Sequence, residues 1–232
     1  MTFNYHNINK VLEAIFPLPE NFGLIQEEQL ETDAFWDLEY ELHSIDPSAF
    51  LSHGASKLVI ISPNFGNVVI KIPFNGFYIE DHENGDLYWQ DFSWATGSDS
   101  SDYCLAEYEK YHKLKAYRLD CFVAKTLYYK TICGFRIFLQ EKIIPENDLY
   151  LSYTPSAKSK KLADKWRNEG IFYIDSEWIA NCLDKYGQSK VKRFLNYCSN
   201  IDLDILEDSH CGNFGYRENG TPAILDYSNF LD

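Results

Sequence analysis

Three residues near the end of the chain, Asp208, Asn213 and Asp226, have the types and spacing to work on a phosphate group. Asn219-Gly220 lies between the last two and is a strong hairpin signal, because both central residues of a type I′ turn need positive φ. With that turn the arms 214–218 and 221–225 are equal. Asn213 and Asp226 then face each other at the hairpin mouth, roughly 5 Å apart in Cα. An amide carbonyl and a carboxylate so placed suit Mg²⁺, a hard cation that takes oxygen donors and keeps several of its own waters. Asp208 stands in the loop leading into the hairpin, where its carboxylate is placed to hold a substrate hydroxyl without being a metal ligand.

The elements that must position these groups are read from periodicity. Lys57–Ile61 and Val68–Pro73 are short β-branched runs separated by a turn-rich link, and read as an antiparallel pair. Lys71 alternates out of step with Val68 and Ile70, so it faces the other side of its strand. Residues 103–117 read as a helix on which Glu107 and Glu109, two apart, point to different faces, so that only one looks inward. Glu107 is preferred, while Glu109 also suits a surface pair with Lys113. Two further strands, 121–131 and 135–142, turn at Cys133-Gly134. A basic helix is expected over 156–168, with a solvated outer face, and a long helix or helix pair broken near Gly187 over 175–198. Before all of these, residues 8–16 predict a short amphipathic helix stopped by Pro17 and Pro19. Leu30, Ala34, Leu38 and Leu42 predict a second, with a strongly negative outer face. Residues 75–102, acidic and rich in Gly, Ser and aromatics, suggest a mobile insertion or lid.

In these residues and their order the chain resembles the protein-kinase-like superfamily, whose catalytic loop carries Asp and Asn five apart and whose metal-binding Asp follows a short hairpin. The local form, Asp208-Ser-His210-Cys-Gly-Asn213, is more similar to the Asp-x-His-x-x-Asn loop of aminoglycoside and other small-molecule phosphotransferases than to the His-Arg-Asp loop of protein kinases. Small kinase-like proteins of bacteriophages look similar too. The resemblance implies an α+β, two-lobed protein-kinase-like fold with an N-terminal antiparallel sheet lobe and a reduced helical C-terminal lobe. Residues 1–50 would be an acidic helical extension, 51–144 the N-lobe, and 145–232 a minimal C-lobe with the catalytic loop.

The resemblance further implies an ATP- and Mg²⁺-dependent phosphotransferase acting on a hydroxyl of a protein or small molecule. Asp208 would orient or deprotonate that hydroxyl, Asn213 and Asp226 would hold Mg²⁺, and Lys71, set by Glu107, would steady the ATP phosphates. His210 would shape the loop. Gly54 and Ser56 stand where a loop covers the phosphates, with a single glycine where kinases have several. The run Phe138-Leu139-Gln140-Glu141-Lys142-Ile143 is similar to the kinase hinge, so Glu141 and Ile143 would offer backbone groups to the adenine. Tyr227-Ser228 replaces the Phe-Gly that follows the metal Asp in protein kinases. The alternative is a kinase-like protein without catalysis, a pseudokinase, that binds a partner through its acidic surface, as a phage protein acting on a host factor would.

Composition sets the outer bounds. At 232 residues, 45% hydrophobic and 16% aromatic, the chain can bury a sizeable core and is not a disordered chain. Its net charge of −14 is uneven: residues 1–100 hold 16 acids against 3 bases, whereas 101–200 hold 12 against 17. An acidic first half repels nucleic-acid backbones, so direct nucleic-acid binding is not expected. No apolar run approaches a membrane span and no secretory leader is visible, so a cytoplasmic protein is expected. Six cysteines, scattered without a Cys-x-x-Cys pair, read as reduced thiols.

Overall fold

The computed structural model describes residues 3–16, 33–53, 57–73, 76–80, 85–91, 102–145, 153–201 and 211–227. The chain divides into two compact units, one built mainly from Met1–Tyr108 and Thr126–Glu141, the other from Glu109–Lys125 and Lys142–Phe230. The fold is α+β.

The first unit is organised on a five-stranded antiparallel sheet of order β1-β2-β3-β7-β6. Its strands are β1 Phe50–His53, β2 Lys57–Ile61, β3 Val68–Pro73, β6 Thr126–Ile132 and β7 Phe135–Glu141. A separate hairpin, β4 Gly76–Glu80 with β5 Leu87–Asp91, pairs Gly76 with Asp91. Residues 75–102 were expected to be an irregular insertion, yet they contain this regular ladder. Aromatic and β-branched residues in 76–91 are strand formers, and that local preference prevails over the acidic composition around them. Residues 92–101 lie outside the described residues.

One face of the sheet carries Leu58, Ile60, Val68, Ile70, Ile72, Ile137 and Leu139, buried against two helices. These are α1 Tyr5–Ile15 and α2 Asp33–Ile45. Helix α1 starts where the Asn4 side chain accepts from the Asn7 N–H, and it buries Ile8, Val11, Leu12 and Ile15 at helical spacing. Leu38 and Leu42 of α2 join the same core, so the described part of residues 1–50 supplies one layer of this unit. Each such aliphatic side chain stabilises the fold by roughly 1.5–3 kcal/mol on burial. Behind α2, the buried Asp46 carboxylate accepts from Ser62 Oγ at 2.5 Å, Ser48 Oγ at 2.6 Å and Asn64 Nδ2 at 2.9 Å, tying the helix end to the β2–β3 link. The opposite face of the sheet presents Lys57, Lys71, Phe138 and Gln140 toward α3 Tyr103–Ala116. All six positions of β3 are buried as a result.

Strands β6 and β7 are joined by Cys133-Gly134, with φ of 49° and 81° and Ile132 opposite Phe135. Positive φ at both central residues is the signature of a type I′ hairpin, adopted here around a cysteine and a glycine. The stretch 121–131 is only partly a strand: Asp120–Phe122 forms a 3₁₀ turn and β6 begins at Thr126.

The second unit contains α4 Ala157–Asn168, α5 Ser176–Tyr186 and α6 Gln188–Asn200, with the small sheet β10-β9-β8. Strands β8 Ile144–Pro145, β9 Phe214–Tyr216 and β10 Pro222–Ile224 are antiparallel. Ser156 caps α4, and Asp184 of α5 accepts from both the N–H and the hydroxyl of that residue, coupling the two helices. Gly187, with φ of 79°, breaks the long apolar pattern into α5 and α6. Trp178 lies against Phe214, and Phe194 stacks on Phe122 at 4.2 Å between ring centroids. Cys104, Cys121, Cys133, Cys182 and Cys198 are free thiols. Among the described residues no helix is long and apolar enough to cross a membrane.

Candidate active site

Lys71 lies in the middle of β3 and Glu107 one turn into α3, and the first unit brings them together. Lys71 Nζ lies 2.9 Å from each oxygen of the Glu107 carboxylate, with the side chains 3% and 0% exposed. Of the two glutamates the sequence offered, Glu107 faces the sheet and Glu109 is exposed. The buried face of α3 runs Tyr103, Cys104, Glu107, Lys110, Tyr111 and Leu114, which keeps the three- and four-residue spacing of an inward stripe. Two of those positions are charged, so hydropathy alone does not single the stripe out.

Two more groups complete the cluster, and the sequence reading missed both. Lys57 at the start of β2 sends its Nζ to within 2.9 Å of Glu107 Oε1, the same oxygen that Lys71 reaches. From β7, Gln140 donates through Nε2 to Glu107 Oε2 at 3.0 Å and to Thr126 Oγ1 at 3.1 Å. Strand phase was the available signal. Lys57 and Lys71 are both out of step with the apolar positions of their strands, and the register sets Val59 opposite Lys71 and Lys57 opposite Pro73. The lysines are thus diagonal neighbours on one face, within reach for long side chains. Beside them, burial and the nearby Asp102 charge push the Cys104 thiol well above its usual range, so it stays protonated and is no nucleophile at neutral pH.

In the second unit, the hairpin that carries Asn213 and Asp226 forms with a different turn from the one its sequence suggests. Phe214 pairs with Ile224, Gly215 with Ala223 and Tyr216 with Pro222. The Gly220 N–H donates to Arg217 O at 2.8 Å and the Arg217 N–H to Thr221 O at 2.9 Å, enclosing a three-residue loop. Gly220 has φ of 74°, whereas Asn219 is not among the residues with positive φ. This is a type I turn closed by a glycine bulge, which matches strand twist with one left-handed residue instead of two. Asn219 serves it through its side chain, whose Oδ1 accepts from the Thr221 N–H. The extra residue moves the register by one.

Asn213, buried at the end of the turn Cys211–Asn213, therefore lies opposite Leu225, whose N–H its carbonyl accepts at 2.9 Å. Asp226 is the next residue along, half-buried. The expected face-to-face pair is replaced by a diagonal one at the same end of the hairpin. Toward the turn, Arg217 donates to the carbonyls of Val123 and Cys121 at 2.9 and 3.1 Å, and past the open end the Tyr227 hydroxyl donates to Ala124 O at 2.8 Å. The hairpin is thereby fixed to the segment that precedes β6. Gly215 allows β9 to lie on β8, because a Cβ there would collide with the Ile144 carbonyl oxygen.

Of the remaining candidates, Glu141 ends β7 opposite Val68, and the division between the two units falls between it and Lys142. Ile143 is buried in the core of the second unit. Asp208, His210, Gly54 and Ser56 lie outside the described residues. Chemically, a buried ammonium held by a carboxylate is a fixed donor for phosphate oxygens. An amide and a carboxylate at one hairpin end supply the hard oxygen donors that Mg²⁺ takes. Compared with protein-family models, with curated proteins and with solved structures, the chain matches none.

Proposed function

We propose that the chain is an ATP- and Mg²⁺-dependent phosphotransferase of protein-kinase-like fold, moving the γ-phosphate to a hydroxyl of a protein or small-molecule acceptor. The observation that carries this reading is the buried ion pair between Lys71 on the third strand and Glu107 on the helix that follows the sheet's first strands. Kinases of this kind need a lysine on their third strand paired with a helix glutamate before the ATP phosphates are correctly held. A surface lysine on an edge strand would serve solubility, but β3 lies inside the sheet between β2 and β7 and Lys71 is buried.

In this reading Lys71 donates to the phosphate oxygens of ATP, and Glu107 keeps its ammonium from swinging away. Gly54 and Ser56 cover the phosphates, and the backbone of Glu141 and Ile143 meets the adenine. Asn213 and Asp226 hold Mg²⁺, which neutralises charge building on the phosphates. Asp208 accepts the proton of the acceptor hydroxyl as its oxygen bonds to the γ-phosphorus and the bond to the β-phosphate oxygen breaks, releasing ADP.

The test is the unfolding midpoint with and without ATP and Mg²⁺, with Asp226→Ala as control. Ligand at a hundredfold its dissociation constant stabilises the fold by about 2.7 kcal/mol. A metal-dependent rise that is absent in the variant is the expected result. A folded wild-type protein with no rise overturns it.

A second reading, a non-catalytic interaction protein, draws on α2. Trp36 and Tyr40, one turn apart, are 51% and 76% exposed, and Asp37 and Glu41 beside them in sequence are exposed too, an aromatic and acidic surface suited to a basic partner. Such a complex weakens steeply with salt and survives the combined loss of Asp208 and Asp226.

A further inference from the structure

Lys57 is the member of the cluster to which the resemblance to kinases assigns no role. A second buried ammonium carries a desolvation cost that an apolar residue at the same place would avoid. Yet Lys57, 2% exposed as a residue, and Lys71 both reach Glu107 Oε1 at 2.9 Å, which sets their ammonium groups within twice that distance of one another. They arrive from neighbouring strands on one face of the sheet. In sequence Lys57 directly follows Gly54 and Ser56, which the phosphotransferase reading assigns to the phosphates. Gln140 donates to the other carboxylate oxygen from a third strand, so Glu107 has a neutral donor besides the two ammonium groups.

We infer that Lys57 is a second phosphate-binding lysine of this site, sharing Glu107 with Lys71 and bonding the triphosphate of the nucleotide together with it. This rests on the phosphotransferase reading. Two ammonium groups this close present twice the N–H donors and twice the positive charge of one, so more of the triphosphate oxygens are bonded at once. The shared carboxylate keeps both from repelling each other when no nucleotide is bound.

The experiment uses wild-type protein and an ATP derivative with an acyl group on its terminal phosphate. A lysine amine within reach attacks the acyl carbon, the acyl–oxygen bond to phosphate breaks, ATP departs, and the lysine keeps an amide that peptide mass spectrometry locates. Acylation of both Lys57 and Lys71, each blocked by excess ATP and Mg²⁺, is the expected result. Acylation of Lys71 without Lys57 overturns the inference and leaves the phosphotransferase reading standing. Acylation of neither lysine overturns both.

A second measurement separates phosphate binding from scaffolding. Lys57→Gln retains a donor for Glu107 but not the charge, and its affinity for ATP with Mg²⁺ falls about tenfold while that for adenosine is unchanged. Equal loss for ATP and adenosine, or loss for neither, assigns Lys57 a structural role and overturns the inference.

Discussion

Lys71 and Glu107 form a two-pronged contact, one ammonium with both oxygens of one carboxylate at 2.9 Å each, closed off from solvent between β3 and α3. The two residues are unequal in what they leave behind. Glu107 holds two lysines and Gln140, so Glu107→Gln takes the carboxylate away from two buried ammonium groups and costs about 3–5 kcal/mol of stability. Lys71→Met leaves Glu107 still bonded to Lys57 and Gln140, and costs about 1–3 kcal/mol. Urea unfolding of the two variants checks the order. A Lys71→Met protein less stable than Glu107→Gln would show that the shared carboxylate is not the centre of the cluster.

The hairpin makes separate demands on its two turn residues. Gly220 has φ of 74° and a Cβ there would lie 2.5 Å from the Tyr153 ring, so Gly220→Ala costs about 1–3 kcal/mol in backbone strain and displaced ring. Asn219→Ala removes a single side-chain bond to the Thr221 N–H and costs about 1 kcal/mol. Thermal unfolding distinguishes the two. Equal large losses would point back to a type I′ turn with both residues left-handed.

Acid titration tests the contact behind α2. Burial alone raises the Asp46 carboxyl, but bonds from Ser48, Ser62 and Asn64 outweigh it and hold the group below its usual range. A lowered folded-state pKa gives stability that is full above the unfolded value and lost as pH falls through the folded one. Asp46→Asn therefore costs a constant amount at neutral pH, and the gap from wild type closes below about pH 4. A gap that widens on acidification would contradict this arrangement.

Binding and chemistry separate at the two aspartates of the proposed site. Asp208→Ala is expected to keep the Mg²⁺-dependent ATP stabilisation and lose about 10²–10⁴ in turnover, the usual worth of a general base. Asp226→Ala loses both, because the metal and the phosphates it positions go together. Radiolabel transfer from γ-labelled ATP, read beside the melting curves, checks each arm. An Asp208→Ala protein that turns over at the wild-type rate rules out the assigned role.

Much of the first unit was legible in residue order because strands and helices there are specified by local pattern. β2 and β3 fall on the bounds their β-branched runs gave, and Cys133-Gly134 turns where two strands had to meet. That only one of Glu107 and Glu109 looks inward followed from helix spacing, whereas the pairing of a strand lysine with a glutamate on this helix was implied by the resemblance to kinases. The β4–β5 hairpin was hidden by acidic composition, and Lys57 by its place at the start of an ordinary strand, where a lysine is the common guard of an edge.

What the sequence determined by itself was most of the elements and, within them, the face a side chain takes, since those depend on neighbours two to four residues away. What only the tertiary structure decided was which faces meet. Three donors from β2, β3 and β7 converge on one carboxylate because three non-adjacent segments register side by side. Likewise the single-residue slip that sets Asn213 opposite Leu225 goes with a glycine bulge in place of a two-residue turn, in strands that meet Val123 through Arg217 and Ile144 through Gly215. Such choices turn on contacts between residues far apart in the chain, and pattern within any one segment does not carry them.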